Sequence, residues 1–231
     1  MKKIIIAFLA LTGTMSMNAQ VMKVMKDGAI VMQYSAATAD QVVFDEKPTY
    51  EHVDLGLSVE WATFNVGAMN AWEYGDSFAW GETETKASYD KDTYSYTDLI
   101  GITSSSILKL ENDVAHVKWG GKWRMPTHEE LFELFYSDKM EHSEVTMYGG
   151  FVKGFLFTSK TKGNSIFLPY AGSKDKTDDY KVGIEGIYWS STLNTEGNKA
   201  IVHWFGDSGE GVPGAVPYLG HSVRPVWDPN M

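Results

Sequence analysis

The stretch WGGKWRMPTHEEL, residues 119–131, joins the end of one helix to the start of the next. The two glycines after Trp119 stop a helix, because glycine readily adopts the left-handed conformation that ends one. Thr127 stands where an N-cap belongs, and Glu130 three residues later completes a capping box. The pattern therefore predicts a corner of the fold with a short helix on each side, over residues 112–119 and 128–137.

Side chains around this corner are predicted to hold the fold together. Arg124 and Arg224 lie in apolar strings, and a buried guanidinium must be paired, so we expect ion pairs or carbonyl contacts for both. Glu82 and Glu130 are the expected partners, and Glu82 is alternatively expected to bind backbone amides. The residues predicted to have structural roles are Thr127, Glu130, Arg124, Trp123, Glu82, Trp189 and Arg224.

The first residues of the chain are typical of a secretory signal peptide. A short basic end is followed by an apolar run, and Ala19 offers a small residue for cleavage. The apolar run has about 10 residues, whereas a bilayer span needs about 20, which disfavours a membrane anchor. We therefore expect a signal peptide over residues 1–19, no transmembrane segment after its removal, and an exported protein at the cell surface, outside the cell or in the periplasm.

Composition excludes several classes of function. The chain of 231 residues has a formal net charge of −10, and an acidic surface is a poor match for nucleic-acid phosphates. It contains no cysteine, which excludes a disulfide scaffold, thiolate zinc sites and cysteine nucleophiles. Its 8 Trp, 12 Tyr and 11 Phe predict that buried aromatic side chains supply most of the cohesion.

The chain is predicted to contain a small N-terminal unit and one larger domain. Residues 20–44 are expected to form a β-hairpin segment with a possible third strand at 41–44, and charged residues 45–51 a linker. Two short helices and several short antiparallel strands make the domain at 52–231 α+β. Within it, residues 74–83 are predicted to be extended and residues 173–181 to form a polar loop.

Six ordered blocks resemble a known family. They are VDLGLSVEWATFNVGA (53–68), YGDSFAWGE (74–82), the corner at 119–131, FTSK with SIFLPYAG (157–172), YWSST (188–192) and SVRPV (222–226). Together they are similar to the Fibrobacter succinogenes major paralogous domain, a set of exported modules common in Bacteroidetes. The resemblance covers residues 52–227. It implies a C-type-lectin-like fold related to formylglycine-generating enzymes, in which the terminal strands pair and long loops carry ligands.

The resemblance transfers no activity. Formylglycine-generating enzymes need cysteines, and calcium-dependent lectins of this fold need Glu-Pro-Asn or Gln-Pro-Asp strings, none of which occurs here. No cofactor and no metal site is therefore predicted, although a weak calcium site among the acidic residues 175–179 remains an alternative to a solvated loop. The string Gly-Asp-Ser-Gly at 206–209 imitates a serine-protease motif, but we interpret it as a turn between strands.

Exposed aromatic and acidic residues near loops are the predicted contacts to a ligand. Tryptophan beside Asp and Asn is suited to stacking on sugar rings and to anchoring protein partners. The leading hypothesis is an exported, non-enzymatic module that binds a glycan or a protein. The alternatives are a cell-surface assembly component that uses the N-terminal hairpin, and a hydrolase with a carboxylate pair such as Glu82 and Glu84. The predicted ligand-binding residues are Trp204, Trp72, Tyr170, Asp178, Asp179, Tyr180 and Asp207.

Overall fold

The computed structural model describes residues 21–26, 29–35, 50–194 and 198–231. The chain divides into two compact units, Met1–Pro48 and Thr49–Met231. In the first unit, β1 (Val21–Lys26) pairs antiparallel with β2 (Ala29–Ser35). The predicted signal peptide, the predicted strand at 41–44 and residues 45–49 of the predicted linker lie outside the described residues.

The second unit combines two short helices with many short strands, and its class is α+β as predicted. The helices are α1 (Val114–Trp119) and α2 (His128–Tyr136), and single 3-10 turns span Leu110–Asn112 and Tyr148–Gly150. The strands of the first half are β3 (His52–Val53), β4 (Glu60–Ala62), β5 (Thr103–Ser104), β6 (Ile107–Leu108), β7 (Trp123–Arg124) and β8 (Met140–Met147). Those of the second half are β9 (Val152–Ser159), β10 (Ser165–Pro169), β11 (Ser173–Asp175), β12 (Asp178–Tyr180), β13 (Glu185–Asn194), β14 (Lys199–Gly206), β15 (Gly209–Gly211), β16 (Gly214–Ala215), β17 (Gly220–His221) and β18 (Val226–Trp227).

These strands form four antiparallel sheets. The orders are β3-β4-β18-β7, β10-β9-β8, β12-β11-β17 and β15-β14-β13-β6-β5, with β16 also paired to β14. In the first sheet Val226 lies opposite Trp61, so strands near the two ends of the unit are hydrogen-bonded neighbours. None of the described helices is long and apolar enough to span a membrane.

The sheet that contains β13 and β14 separates two apolar clusters. Successive side chains of a strand point to opposite faces, so Tyr188 and Phe205 join one cluster whereas Trp189 and Val202 join the other. The first cluster also receives the buried face of α2, namely Leu131, Leu134 and Phe135. Both faces of this sheet are therefore covered over most of its length, and a ligand can approach only where the cover ends.

The corner at 119–131 is built as the sequence predicts. The backbone N–H of Glu130 donates to the Thr127 hydroxyl at 3.2 Å, and the backbone N–H of Thr127 donates to the Glu130 carboxylate at 2.8 Å. Gly120, directly after α1, has a φ of 72°. The Arg124 guanidinium binds Glu130 and also Asp228, where the N–O distance is 2.9 Å. One charged group thus connects the start of α2 to the C-terminal end of the chain.

The other predicted structural polar residues find different partners. Arg224 is fully buried and donates to the Asn65 side chain at 2.8 Å, and to two backbone carbonyls, those of Ala62 and Phe167. Glu82 binds neither arginine; it pairs with Lys86 at 2.7 Å and accepts from the backbone N–H of Ser95. Its predicted amide contact is present, because the loop after residue 83 folds back over it.

Two predicted elements differ from the structure, and one strand was not predicted. Residues 173–181 are not a loop, because β11 and β12 pair as a hairpin whose inner strand is bonded to β17. Residues 74–83 contain no strand of their own and contribute a single bridge from Phe78 to His221. Strand β8 has no counterpart in the prediction, since its side chains are mostly polar and exposed. Tyr50, within the predicted linker, stacks on Trp119 with ring centroids 3.9 Å apart.

Candidate ligand cleft

A cleft of about 300 Å³ opens beside β14, where the cover over the second cluster ends. The hairpin β11–β12 and β17 form one wall, and the chain segment between β15 and β17 forms another. Six lining residues are apolar, namely Ile187, Val202, Trp204, Pro213, Ala215 and Leu219. Five are polar, namely Ser173, Asp175, Tyr180, Glu185 and His221. A concave, mostly apolar surface with a few polar groups is the usual form of a small-ligand site.

One glycine of β15, Gly211, makes room for the tryptophan of this cleft. Trp204 lies opposite Gly211 in the β14–β15 ladder. A Cβ atom at position 211 would lie 2.8 Å from the indole nitrogen of Trp204, and one at Gly209 would lie 3.9 Å from the far edge of the ring. The indole therefore covers the glycine backbone on one side. It remains partly exposed and lines the cleft.

His221 is among the residues that line the same cleft. The residue is 2% exposed, and its ring packs edge-on against Trp189 with ring centroids 4.4 Å apart. Neither ring nitrogen has a hydrogen-bond partner among the described residues. Burial lowers the pKa of His221 to about 3, so the imidazole is neutral at physiological pH. A neutral imidazole offers one N–H donor and one nitrogen acceptor.

The charged groups around the cleft are largely paired with each other. The buried carboxylate of Glu185 accepts from the ammonium of Lys181, which also lies 5.4 Å from the Tyr180 ring centroid. Lys174 pairs with Asp179 on the neighbouring strand. Asp175 is exposed, and no hydrogen bond or ion pair of its carboxylate is found within the described part of the chain. The cleft thus presents one unpaired carboxylate and no unpaired cation among the residues that line it.

The structure brings two of the predicted ligand-binding residues together in the cleft. Trp204, on β14, and Tyr180, on the hairpin wall, both line it, and Tyr180 is 55% exposed. Asp178 and Asp179 belong to the same hairpin but point elsewhere: Asp179 binds Lys174, and Asp178 accepts from Thr177. Tyr180 reaches the cleft because the segment predicted as a loop is a hairpin.

The remaining three predicted contacts lie away from the cleft. Trp72 is partly buried and stacks on Tyr148, with ring centroids 5.4 Å apart. Tyr170 is a correction: it is fully buried, and its hydroxyl donates to Glu144 at 2.8 Å, so it has no exposed surface for a ligand. Burial and this carboxylate raise the pKa of Tyr170. Tyr170 stands in an apolar string, between a proline and an alanine, and this sequence pattern favours a buried position.

Asp207 takes part in a surface group of charges. It is hydrogen-bonded to Glu144, which raises the pKa of Asp207 and lowers that of Glu144. The Lys153 ammonium lies 3.3 Å from the Glu144 carboxylate and 3.8 Å from that of Asp207. The pair is exposed rather than enclosed in a cleft, so it does not resemble the facing carboxylates of a glycosidase.

The other catalytic alternatives are not assembled. Glu84 pairs with Lys118 at 3.2 Å, and Glu82 with Lys86, so these two carboxylates do not face each other across a site. Gly206 and Gly209 are paired across the turn between β14 and β15, which is the turn predicted for Gly-Asp-Ser-Gly. Over the described residues, no three His, Asp or Glu side chains are close enough to hold a metal ion.

Sequence reasoning missed two polar residues of the cleft, Glu185 and His221, which are buried. The position of His221 between a glycine and a strand was the one feature of the sequence that could have indicated it.

Comparison of the chain with protein-family models, with curated proteins and with solved structures finds no match in any of the three.

Proposed function

We propose that the chain is an exported, non-enzymatic binding module and that the cleft beside Trp204 holds its ligand, a glycan or a protein. The observation that carries the proposal is the cleft itself, in which a partly exposed indole faces a hairpin wall with an exposed tyrosine. Aromatic rings that keep one face accessible provide much of the binding energy at such sites. Export is proposed from the N-terminal sequence.

The fold proposed for this module is the C-type-lectin-like fold of the Fibrobacter succinogenes major paralogous domain. Support comes from the six ordered sequence blocks and from the pairing of β18 with β4, which brings strands near both ends of the domain together. The two short helices accord with the same fold.

Binding without turnover is favoured by the charges of the cleft. Hydrolysis of a glycosidic bond uses two carboxyl groups with different roles. Of the two carboxylates that line the cleft, Glu185 is buried and engaged by Lys181, and Asp175 is exposed at the rim. This arrangement supports recognition of a ligand rather than acid–base chemistry on it.

A second candidate function is assembly through the N-terminal hairpin. The observation in its favour is that β1 and β2 form a separate two-stranded sheet within their own unit. An isolated two-stranded hairpin is only marginally stable in water, so a partner surface would stabilise it. If deletion of residues 20–47 leaves self-association unchanged, the assembly function loses its basis.

The binding function is tested by arrays that carry glycans and peptides, probed with the mature chain and with Trp204→Ala. We expect at least one ligand whose binding falls tenfold or more in the variant. Phe132→Ala is the matched control, because Phe132 is an exposed aromatic on α2 that does not line the cleft. Equal binding by Trp204→Ala and the wild type, or turnover of an array compound, would contradict the proposal.

A further inference from the structure

Strand β8 is an open edge of its sheet. It pairs with β9 over eight consecutive residue pairs without a bulge, and no other strand of the described residues pairs with it. Its side chains are mostly exposed or half-buried, and it contains neither proline nor lysine, two residues that often protect such edges. An exposed edge of this length is a template for pairing with another strand.

The bonds of β9 show which backbone groups of β8 face outward. The N–H of Ser159 and the carbonyl of Lys153 are bonded to the residues that flank β10, and these two residues lie opposite Met140 and Thr146 of β8. Backbone groups alternate between the two sides along an antiparallel strand. The even-numbered residues of β8 therefore point their N–H and C=O groups away from β9. Within the described part of the chain, the N–H groups at positions 142, 144 and 146 find no backbone partner.

The side chains of β8 fit a second copy of the same strand. When two copies pair antiparallel about a two-fold axis, outward-facing residues of one must lie opposite outward-facing residues of the other. An axis at Ser143 meets this condition over residues 140–146, and it sets His142 of each copy opposite Glu144 of the other. A histidine and a carboxylate directly opposite each other favour pairing. No two like charges are opposed in this register.

His142 and Glu144 keep surface for these contacts. Within one copy His142 lies 3.1 Å from Glu210 and Glu144 lies 3.3 Å from Lys153, and their side chains remain 23% and 36% exposed. A carboxylate accepts several hydrogen bonds, and an imidazole has two ring nitrogens, of which Nε2 faces Glu210. Each group can therefore take a partner on the second copy and keep the one it has.

Other registers about a two-fold axis are less favourable. An axis at Glu144 opposes two carboxylates, and like charges directly opposite destabilise a pair of strands. An axis at His142 opposes two imidazoles and limits the pairing within β8 to residues 140–144. The axis at Ser143 thus combines a long paired stretch with complementary side chains.

Exposed apolar side chains lie next to this edge. Tyr148 and Phe151, at the tip of the β8–β9 hairpin, are 62% and 82% exposed, and Tyr136 at the end of α2 is 41% exposed. In the register about Ser143 each tip extends beyond Met140 of the other copy, beside the chain that follows α2. Burial of apolar area at both ends of the joined strands would add to the backbone hydrogen bonds.

We propose that β8 is a self-association surface, at which two copies of the chain join their β8 strands antiparallel about a two-fold axis at Ser143. Two three-stranded sheets then form one sheet of six strands. The surface is separate from the cleft, because no residue of β8 lines the cleft. It does not use the N-terminal hairpin, so this proposal and the assembly function can be tested apart.

The position of the axis is tested with a single cysteine, because the chain contains none. Ser143→Cys sets two sulfurs across a non-hydrogen-bonded pair, whose Cα atoms lie about 4.5 Å apart, close enough for a disulfide. We expect the mature chain with this change to form a disulfide-linked dimer in oxidised glutathione. Glu141→Cys is the matched control, because Glu141 is exposed on the same face of β8 but lies opposite Val145. It should form at least tenfold less dimer, and equal yields from the two variants, or none from Ser143→Cys, would overturn the proposal.

Reversible association is measured by sedimentation equilibrium of the mature chain. We expect a dimer in the wild type and a Kd at least tenfold higher in Ser143→Lys, which opposes two ammonium groups. Tm should not fall, because Ser143 is exposed. Ser143→Asp should weaken the dimer in the same way, and an equal mixture of the two variants should restore it. A wild-type chain that is monomeric at every concentration would overturn the proposal. So would a dimer that tolerates Ser143→Lys but is lost on deletion of residues 20–47.

Discussion

The ring of His221 lies edge-on against the indole of Trp189, with centroids 4.4 Å apart and an interplanar angle of 64°. The indole nitrogen of Trp189 in turn donates to the Phe78 carbonyl at 2.7 Å. The indole of Trp189 is therefore held by a hydrogen bond to the backbone, whereas the described residues provide no hydrogen bond to the ring of His221. Burial disfavours the charged form of this ring, and that has a consequence for stability.

The first prediction concerns the pH dependence of folding. The pKa of His221 is about 3 in the folded chain, because burial disfavours the charged form, and about 6.5 when unfolded. Between these values the unfolded chain binds more protons, so the free energy of unfolding decreases as the pH falls, by about 1.4 kcal/mol per pH unit. Above the unfolded value this contribution to the slope is zero. Urea titrations of wild type and His221→Phe between pH 4 and 6 should show a slope that is smaller in the variant by about this amount.

Two other buried groups also make the free energy of unfolding depend on pH. Burial also lowers the pKa of His203 to about 3, with a further contribution from His128. Burial raises the pKa of Asp113 to about 6, so the folded chain binds the additional proton there and the stability change has the opposite sign. The contributions of His203 and Asp113 are the same in the wild type and in His221→Phe, so they cancel in the comparison. Parallel stability curves for the two proteins would therefore contradict the assignment of a neutral, buried His221.

The second prediction concerns Arg224. Arg224→Met removes the donor from three buried acceptors, on Asn65, Ala62 and Phe167. Leaving buried acceptors unsatisfied costs about 1–3 kcal/mol each, so we expect the free energy of unfolding to decrease by at least about 3 kcal/mol in urea denaturation. Lys91→Met, at an exposed lysine, should stay within about 0.5 kcal/mol of wild type. A small effect at Arg224 would mean that the acceptors find other donors.

The third prediction concerns the N-cap of α2. Thr127→Ala removes the hydroxyl that accepts from the Glu130 backbone N–H, and loss of such a cap costs about 1 kcal/mol. Thr127→Ser keeps the hydroxyl and should restore most of the stability. Thr127 does not line the cleft, so the affinity of the folded protein for its ligand should be unchanged in both variants. Weaker binding at full stability would move the corner at 119–131 from a structural to a functional role.

The fourth prediction concerns the glycine beneath the cleft tryptophan. Gly211→Ala places a Cβ atom 2.8 Å from the Trp204 indole nitrogen, closer than a Cβ atom can approach, so the indole must move. We expect a shift of the tryptophan emission and weaker ligand binding, with a small change in Tm because the indole is partly exposed and can move outward. An unchanged emission and affinity would show that the position of the indole does not depend on this glycine.

Local patterns predicted those parts of the fold that local interactions create. The capping box of Thr127 and Glu130 joins residues three positions apart, and the stop after α1 depends on one glycine. By contrast, β11 and β12 carry mainly charged side chains and pair as strands because β17 is bonded to β11 from a distant part of the chain.

The same distinction applies to the candidate site. The sequence by itself determined that Trp204 stands at the end of an apolar strand, just before the polar turn at 206–209, because turn chemistry is a property of short segments. Only the tertiary structure decided that Trp204 shares a cleft with Tyr180 and His221, and that Tyr170 is enclosed in the core. The physical reason is that a cleft is formed by strands packed from separate segments, and whether a polar atom is left without a partner depends on every neighbour that packing brings to it.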